Sequence, residues 1–226
     1  LLGNVFYSDY EDMQRTLFGF VGYRELDVQA VYTLMTKNVP NSTIQGVELE
    51  FDWKPYEAGR LFGWVSMLDT ENGGSSSAEG TQDGYLCLER ALVGIDPCSA
   101  DGSIDLSGKN LTWSPELSWN LQFEHNTYTG NGFRIMNVIN VNYTGEMFYN
   151  ETNYASDPFH SGRDDLHTVN TSMVFIDEAN AWALEFYVHN ATDELIKTDS
   201  YPANAGFVKA MYAPPMAYGV RFNKDF

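Results

Sequence analysis

The segment VELEFDW, residues 47–53, sets Glu48, Glu50 and Asp52 two positions apart, with Val47, Leu49, Phe51 and Trp53 filling the alternate places. On a β-strand such carboxylates share one face at a spacing of about 7 Å. Paired carboxylates can serve as acid and nucleophile in a retaining glycosidase, where they stand about 5–5.5 Å apart. Some β-sandwich glycosidases carry an acidic row in the order Glu-x-Asp-x-x-Glu, and here both order and spacing depart from it. The plainer reading is an acidic, solvent-facing strand that needs no chemistry. Glu48, Glu50 and Asp52 are therefore weak catalytic candidates, and the chain reads as a binding protein before it reads as an enzyme.

Two other clusters suit metal ions. SDPFHSGRDDLHT, residues 156–168, gathers Asp157, His160, Asp164, Asp165 and His167. Imidazole with carboxylate fits zinc or another transition ion, but no His-Glu-x-x-His spacing occurs, and an ordinary polar loop explains the same residues. DPCSADGSIDLSG, residues 96–108, offers Asp96, Asp101 and Asp105 as oxygen ligands without the twelve-residue EF-hand order. The expectation is no cofactor, with calcium the ion such a loop would suit. A Gly-x-Ser-x-Gly elbow and a glycine-rich phosphate loop are both missing from the sequence.

Six Asn-x-Ser/Thr triplets begin at Asn41, Asn110, Asn142, Asn150, Asn170 and Asn190, where random placement gives about two. Read as acceptors, they place the chain in a secretory compartment as a glycoprotein. The competing explanation is that turns favour Asn and Thr. Cys87 and Cys98 flank a loop containing Gly94, Asp96 and Pro97. In an oxidising setting they are expected to form one hairpin-closing disulfide; otherwise they are buried thiols.

The net charge is −18, from 31 acidic and 13 basic residues. Such a surface repels phosphate backbones, so nucleic acid is excluded as a partner. The longest strongly apolar run, LFGFVGY at 17–23, falls far short of the roughly 20 residues of a helical span. No membrane span is expected in this chain. A start at Leu1, with no leader-like segment, suits a processed product or an excised ectodomain.

The elements that must position these residues are strands. Period-two alternation runs through 26–34, 47–53 and 117–125, and the segments 61–68, 84–93, 132–143, 171–177, 182–189 and 216–222 are rich in β-branched and aromatic residues. IDEANAW, 176–182, reads as a tight connection, and short helical turns fit only 9–18 and 203–212. The Gly- and Ser-rich stretch 70–84 reads as a long surface loop inside one domain spanning 1–226. Nine or more strands, each with one face to bury, call for two packed antiparallel sheets. The expected fold is an all-β, jelly-roll-like sandwich with few or no helices, and a closed barrel is the second choice.

These observations imply an extracellular or cell-surface glycoprotein that works by binding or assembly, as a structural or adhesive component or a filament subunit. Its partners would be further copies of itself, other extracellular proteins or glycans. The alternative is a lectin or jelly-roll carbohydrate-active enzyme using loop aromatics such as Trp113 and Tyr128. The apolar start, LLGNVFYSDY, is expected to be an edge strand, either of its own sheet or added to a neighbour's.

Overall fold

The computed structural model describes residues 1–23, 30–39, 41–73, 106–149, 153, 162–204 and 207–225. Those residues form strands and no helix: β1 (Leu2–Tyr10), β2 (Met13–Tyr23), β3 (Ala30–Val39), β4 (Ser42–Tyr56), β5 (Gly59–Asn72), β6 (Leu117–Tyr128), β7 (Phe133–Thr144), β8 (Met147–Phe148), β9 (Gly162–Arg163), β10 (Leu166–Asp177), β11 (Trp182–His189), β12 (Lys197–Asn204), β13 (Phe207–Tyr212) and β14 (Ala217–Lys224). Eight of them make one sheet in the order β1-β4-β5-β6-β7-β10-β11-β14, each neighbour antiparallel to the next. The pairs β2–β3, β8–β9 and β12–β13 are small two-stranded ladders set in the connections. The stretches expected to hold helical turns, 9–18 and 203–212, are strand and turn wherever they are described.

Connection length sorts by end. Residues 57–58, 129–132 and 178–181 close the short turns at one end, while 11–41, 73–116, 145–165 and 190–216 join strands at the other. Each short turn has its own local chemistry. The Tyr56 ring lies where a Cβ of Gly59 would stand, so any larger residue there would have to displace that ring. The Tyr56 hydroxyl lies 3.0 Å from Nδ1 of His125. At 178–181, the Asp177 carboxylate accepts from the backbone N–H of Asn180 at 3.1 Å and from its side-chain amide at 2.7 Å.

The ladder registers give the sheet two faces. On one, Val5, Val47, Met67 and Leu117 align across four strands, and Phe51, Gly63, Leu121, Val141 and Val169 align across five. Trp53, Leu61, Phe123, Ile139, Thr171, Val188 and Tyr218 form a third row of the same face. The opposite face carries Asn4, Glu48, Ser66, Ser118 and Thr144 in one row and Glu50, Trp64, Asn120, Asn142 and Thr168 in the next.

Nothing described covers the apolar face. Val5 is 77% exposed, Trp53 59%, Val220 60% and Phe222 61%. Among the described apolar residues only Leu106, Leu111 and Tyr149 are buried, and none lies in the eight-stranded sheet. A jelly-roll sandwich would bury one whole face of each sheet between its layers, so that expectation is corrected. Leaving a large aliphatic or aromatic side chain in water forfeits about 1.5–3 kcal/mol, and a face of such residues requires an apolar medium outside it.

Candidate functional site

The polar face is a connected surface. Asn120 donates its amide to Oδ1 of Asn142 at 2.6 Å, and Asn142 donates to Oδ1 of Asn140 at 2.7 Å. Asn140 continues to Oε1 of Gln122 at 3.3 Å, and Gln122 to Oε1 of Glu124 at 2.9 Å. Each amide carries both donor and acceptor, so each can pass the chain on, and the chain ends on the Glu124 carboxylate as its acceptor. Cations punctuate the same face. Arg60 grips Asp52 with Nε and Nη2, at 3.0 and 2.7 Å, and its guanidinium lies 4.5 Å from the centre of the Phe62 ring. Arg134 donates to Oδ1 of Asn126 at 2.9 Å and pairs with Glu178 at 3.2 Å, and Arg221 pairs with Glu185 at 2.8 Å.

The acidic row expected on β4 is on one face, opposite Ser66 and Trp64 for Glu48 and Glu50. The two-pronged Arg60 bond holds Asp52 as an ion-pair partner instead of a free acid or nucleophile. The apolar alternates do not pack into the core that a sandwich requires: Leu49 and Trp53 are exposed, at 42% and 59%, and Phe51 is half-buried. The alternation keeps the expected register on β4, but no described layer covers its apolar side.

The expected metal cluster is not assembled in the part that is described. Asp164 and Asp165 precede β10 on the chain, while His167 on β10 belongs to an aromatic group, 4.7 Å from Tyr143 and 6.2 Å from Trp119 between ring centres. Asp157 and His160 lie outside the described residues, as do Asp96, Asp101, Asp105, Cys87, Cys98 and Asn150. Among the described residues no three His, Cys, Asp or Glu side chains gather to hold a metal.

The triplet asparagines fall into two places. Asn142 and Asn170 are strand residues of the polar face, engaged with Asn120, Asn140 and the backbone N–H of Asn190. Asn110 and Asn190 sit in connections, with Asn190 closing a turn through Glu194 at 2.9–3.0 Å. Asn41 directly precedes β4.

A second arrangement stands at the long-connection end. Tyr149 is buried, packs against Trp113 with ring centres 4.7 Å apart and planes tilted by 44°, and donates its hydroxyl to the Lys197 carbonyl at 2.5 Å. Leu106 and Leu111 are buried at the same end. Burial pushes the Tyr149 hydroxyl above its ordinary range, with Arg163 opposing and Asp199 reinforcing the shift. Burial also holds the Arg163 guanidinium below its usual range, with Tyr149 acting the other way. Sequence reasoning singled out neither Arg163 nor Arg60. Their polar spacing on strands was the available signal.

A two-faced sheet of long antiparallel strands, with short turns at one end and long connections at the other, is the build of a membrane-spanning β-barrel wall. The family profile described as TonB dependent receptor-like, beta-barrel, matches residues 2–191. The chain belongs to this family. Among solved structures, the ferric yersiniabactin uptake receptor of Yersinia pestis matches with a TM-score of 0.67 at 18% identity, over 99% of this chain and 27% of that one. The siderophore receptor PiuA of Acinetobacter baumannii gives 0.59 at 12% identity, over 97% and 25%. The ferric enterobactin receptor of Pseudomonas aeruginosa gives 0.59 at 13% identity, over 99% and 28%. The chain thus spans about a quarter of the length of these receptors. No curated protein sequence matches it.

Membership in a TonB-dependent receptor barrel family overturns the reading of a structural, adhesive or filament-forming protein, and the lectin or carbohydrate-active enzyme set beside it. Self-association, other extracellular proteins and glycans fall as partners with it. The glycoprotein and jelly-roll descriptions fall too. Strand alternation places like residues at i and i+2, so Asn142-Tyr-Thr144 and Asn170-Thr-Ser172 arise as polar-face steps of β7 and β10. The expectation of no membrane span is corrected as well. No described helix is long and apolar enough to cross, but this family crosses with strands. A cell-surface location agrees with the family.

Proposed function

We propose that this chain is an arc of the wall of an outer-membrane receptor that imports a ferric siderophore, energised by TonB. The observation that carries the reading is the pairing of an uncovered apolar face with a continuous hydrogen-bonded polar face in one eight-stranded sheet. Lipid satisfies the first and a polar lumen the second. Phe133 and Tyr143 end the outward row of β7. At a strand tilt of about 40° they stand about 25 Å apart along the barrel axis, the height of an apolar band with its aromatic girdles.

The open edges of the arc agree with this reading. β1 and β14 each pair on one side only within the sheet, and an unpaired edge inside a bilayer leaves backbone groups unsatisfied at several kcal/mol each. Transporters of this size class use about 22 strands around a plugged lumen, which leaves room for further strands on both sides of this arc. The siderophore class is taken from the receptors that share the fold.

Uptake of radiolabelled ferric siderophores by cells with and without the complete protein tests the proposal. Uptake that requires both this protein and TonB is expected. Iron uptake unchanged by deletion of the protein across catecholate, hydroxamate and mixed siderophores would overturn it.

A further inference from the structure

The short turns do not close on one row of the sheet. The β4–β5 turn closes at Tyr56 and Gly59, and Gly59 shares its row with His125, Asn137, Met173, Phe186 and Val220. The β10–β11 turn closes in the row of Phe133, Asp177 and Trp182. On β7 the two rows are four residues apart, about 14 Å along the strand. The two turns are also four strand steps apart, about 19 Å across the sheet. A line through them slants about 35° from the rows, which is the strand tilt of a membrane barrel, and it marks where the wall meets the bilayer surface.

The first row therefore runs from the surface into the membrane. His125 lies about 4 Å inside the line of turns and Asn137 about 7 Å, the depth of a headgroup layer. Further along, Met173, Phe186 and Val220 are exposed, and Val220 lies about 15 Å inside. In this row the outward side chains are polar near the boundary and apolar beyond it.

His125 and Asn137 are directly paired across β6 and β7, which sets their Cβ atoms about 5 Å apart on one face. The Tyr56 hydroxyl lies 3.0 Å from Nδ1 of His125, and Tyr56 is 47% exposed. When Tyr56 donates, the ring proton sits on Nε2 and is left over; when Nδ1 donates, the Tyr56 proton is left over. The pair thus offers one donor beyond its own bond in either tautomer, and the Asn137 amide offers two more. Among the described residues no hydrogen bond engages Nε2 of His125 or the Asn137 amide. Idle donors beside hydrocarbon are costly, and the acceptor found at this depth is a lipid phosphodiester. A chain of net charge −18 disfavours a headgroup with net negative charge.

We propose that His125, Asn137 and Tyr56 seat the phosphodiester of a zwitterionic glycerophospholipid from the leaflet on the short-turn side. The seat rests on the wall standing in a bilayer and not on the cargo it imports.

Native mass spectrometry of the complete, delipidated receptor in detergent tests the seat, with dioleoyl phosphatidylethanolamine as the probe and dioleoylglycerol, which lacks the phosphate, as comparator. Wild type should hold the phospholipid at least tenfold more tightly than dioleoylglycerol. His125→Phe, which keeps a ring, and Asn137→Leu should each bind the phospholipid at least threefold more weakly, the loss of a hydrogen bond. Heat-modified gel mobility checks that each barrel is folded, and Asn137→Leu keeps the test alive if His125→Phe does not fold. Equal affinity of wild type for the two lipids, or unchanged affinity in a folded variant, overturns the seat. Tighter binding of dioleoyl phosphatidylglycerol than of the probe overturns the zwitterionic headgroup. Phospholipid binding through these residues by a protein that imports no siderophore would sustain the seat and sink the uptake reading. Siderophore uptake by a wild type that does not distinguish the two lipids would do the reverse.

Discussion

Arg60 and Asp52 meet on the polar face of neighbouring strands through two parallel N–H···O bonds, of 3.0 and 2.7 Å, with Glu124 a further 3.9 Å from the same guanidinium. Both side chains keep much of their solvent access, at 41% and 53%. The pair therefore orients the wall surface more than it holds the fold together. A double-mutant cycle of Arg60→Ala and Asp52→Ala, read by urea unfolding in vesicles, should give a small coupling. It should largely vanish in about 1 M salt, where screening reaches about 3 Å. A coupling that persists in high salt would show that the lumen at this point is dry.

The two faces make opposite demands on charge. Ile139 points outward in the middle of β7, whereas Ser172 belongs to the polar face of β10. Ile139→Arg should destabilise the barrel by about 2–4 kcal/mol, as arginine does near a bilayer midplane. Ser172→Arg should change stability far less. Folding titrations in lipid vesicles compare the two, and equal costs would contradict the face assignment.

Many of the strands were legible, although the expected strand 84–93 lies outside the described residues and β2 was not read as a strand. The segment 182–189 coincides with β11, 117–125 falls within β6, and the turn seen in IDEANAW joins β10 to β11. What alternation cannot say is which medium lies on each side. Val47, Leu49, Phe51 and Trp53 look the same whether they meet a second sheet or lipid. Two signals favoured lipid: strands of 12–15 residues in β4, β6, β7 and β10, longer than the usual five or six, and the regular exchange of short turns and long connections. Polar spacing marked Arg60 and Arg163 as strand residues but did not show their surroundings: the Arg60 fork depends on how the short β4–β5 turn sets Asp52 beside it, and the shielding of Arg163 depends on β9 meeting β12, far away in sequence.

The amide chain is a further case of register made visible. Asn142 both accepts from Asn120 and donates to Asn140, so Asn142→Ala should cost about 1–3 kcal/mol, two net hydrogen bonds' worth. Urea unfolding of the refolded barrel measures it. A loss below about 0.5 kcal/mol would mean that water replaces both bonds without cost.

Tyr149 organises the long-connection end through its tilted ring contact with Trp113 and its bond to the Lys197 carbonyl. Tyr149→Phe should cost about 0.5–1.5 kcal/mol for the lost hydrogen bond, and Tyr149→Ala about 3–5 kcal/mol for the lost core side chain. Limited proteolysis of the refolded barrel should show new cleavage at this end for Tyr149→Ala while the spanning strands stay protected. Cleavage inside β6 or β7 instead would mean that this cluster supports the sheet.

The central claim is that β4 stands between lipid and a polar lumen. Its most direct test is a spin-label scan of residues 46–53 in the complete protein, with Cys87 and Cys98 changed to Ser and the barrel in lipid vesicles. Accessibility to molecular oxygen, which concentrates in lipid, should peak at positions 47, 49, 51 and 53. Accessibility to a polar nickel chelate should peak at 48, 50 and 52, so that the two profiles alternate out of phase with a period of two residues. Profiles that rise and fall together, or oxygen maxima at Glu48, Glu50 and Asp52, would contradict the account.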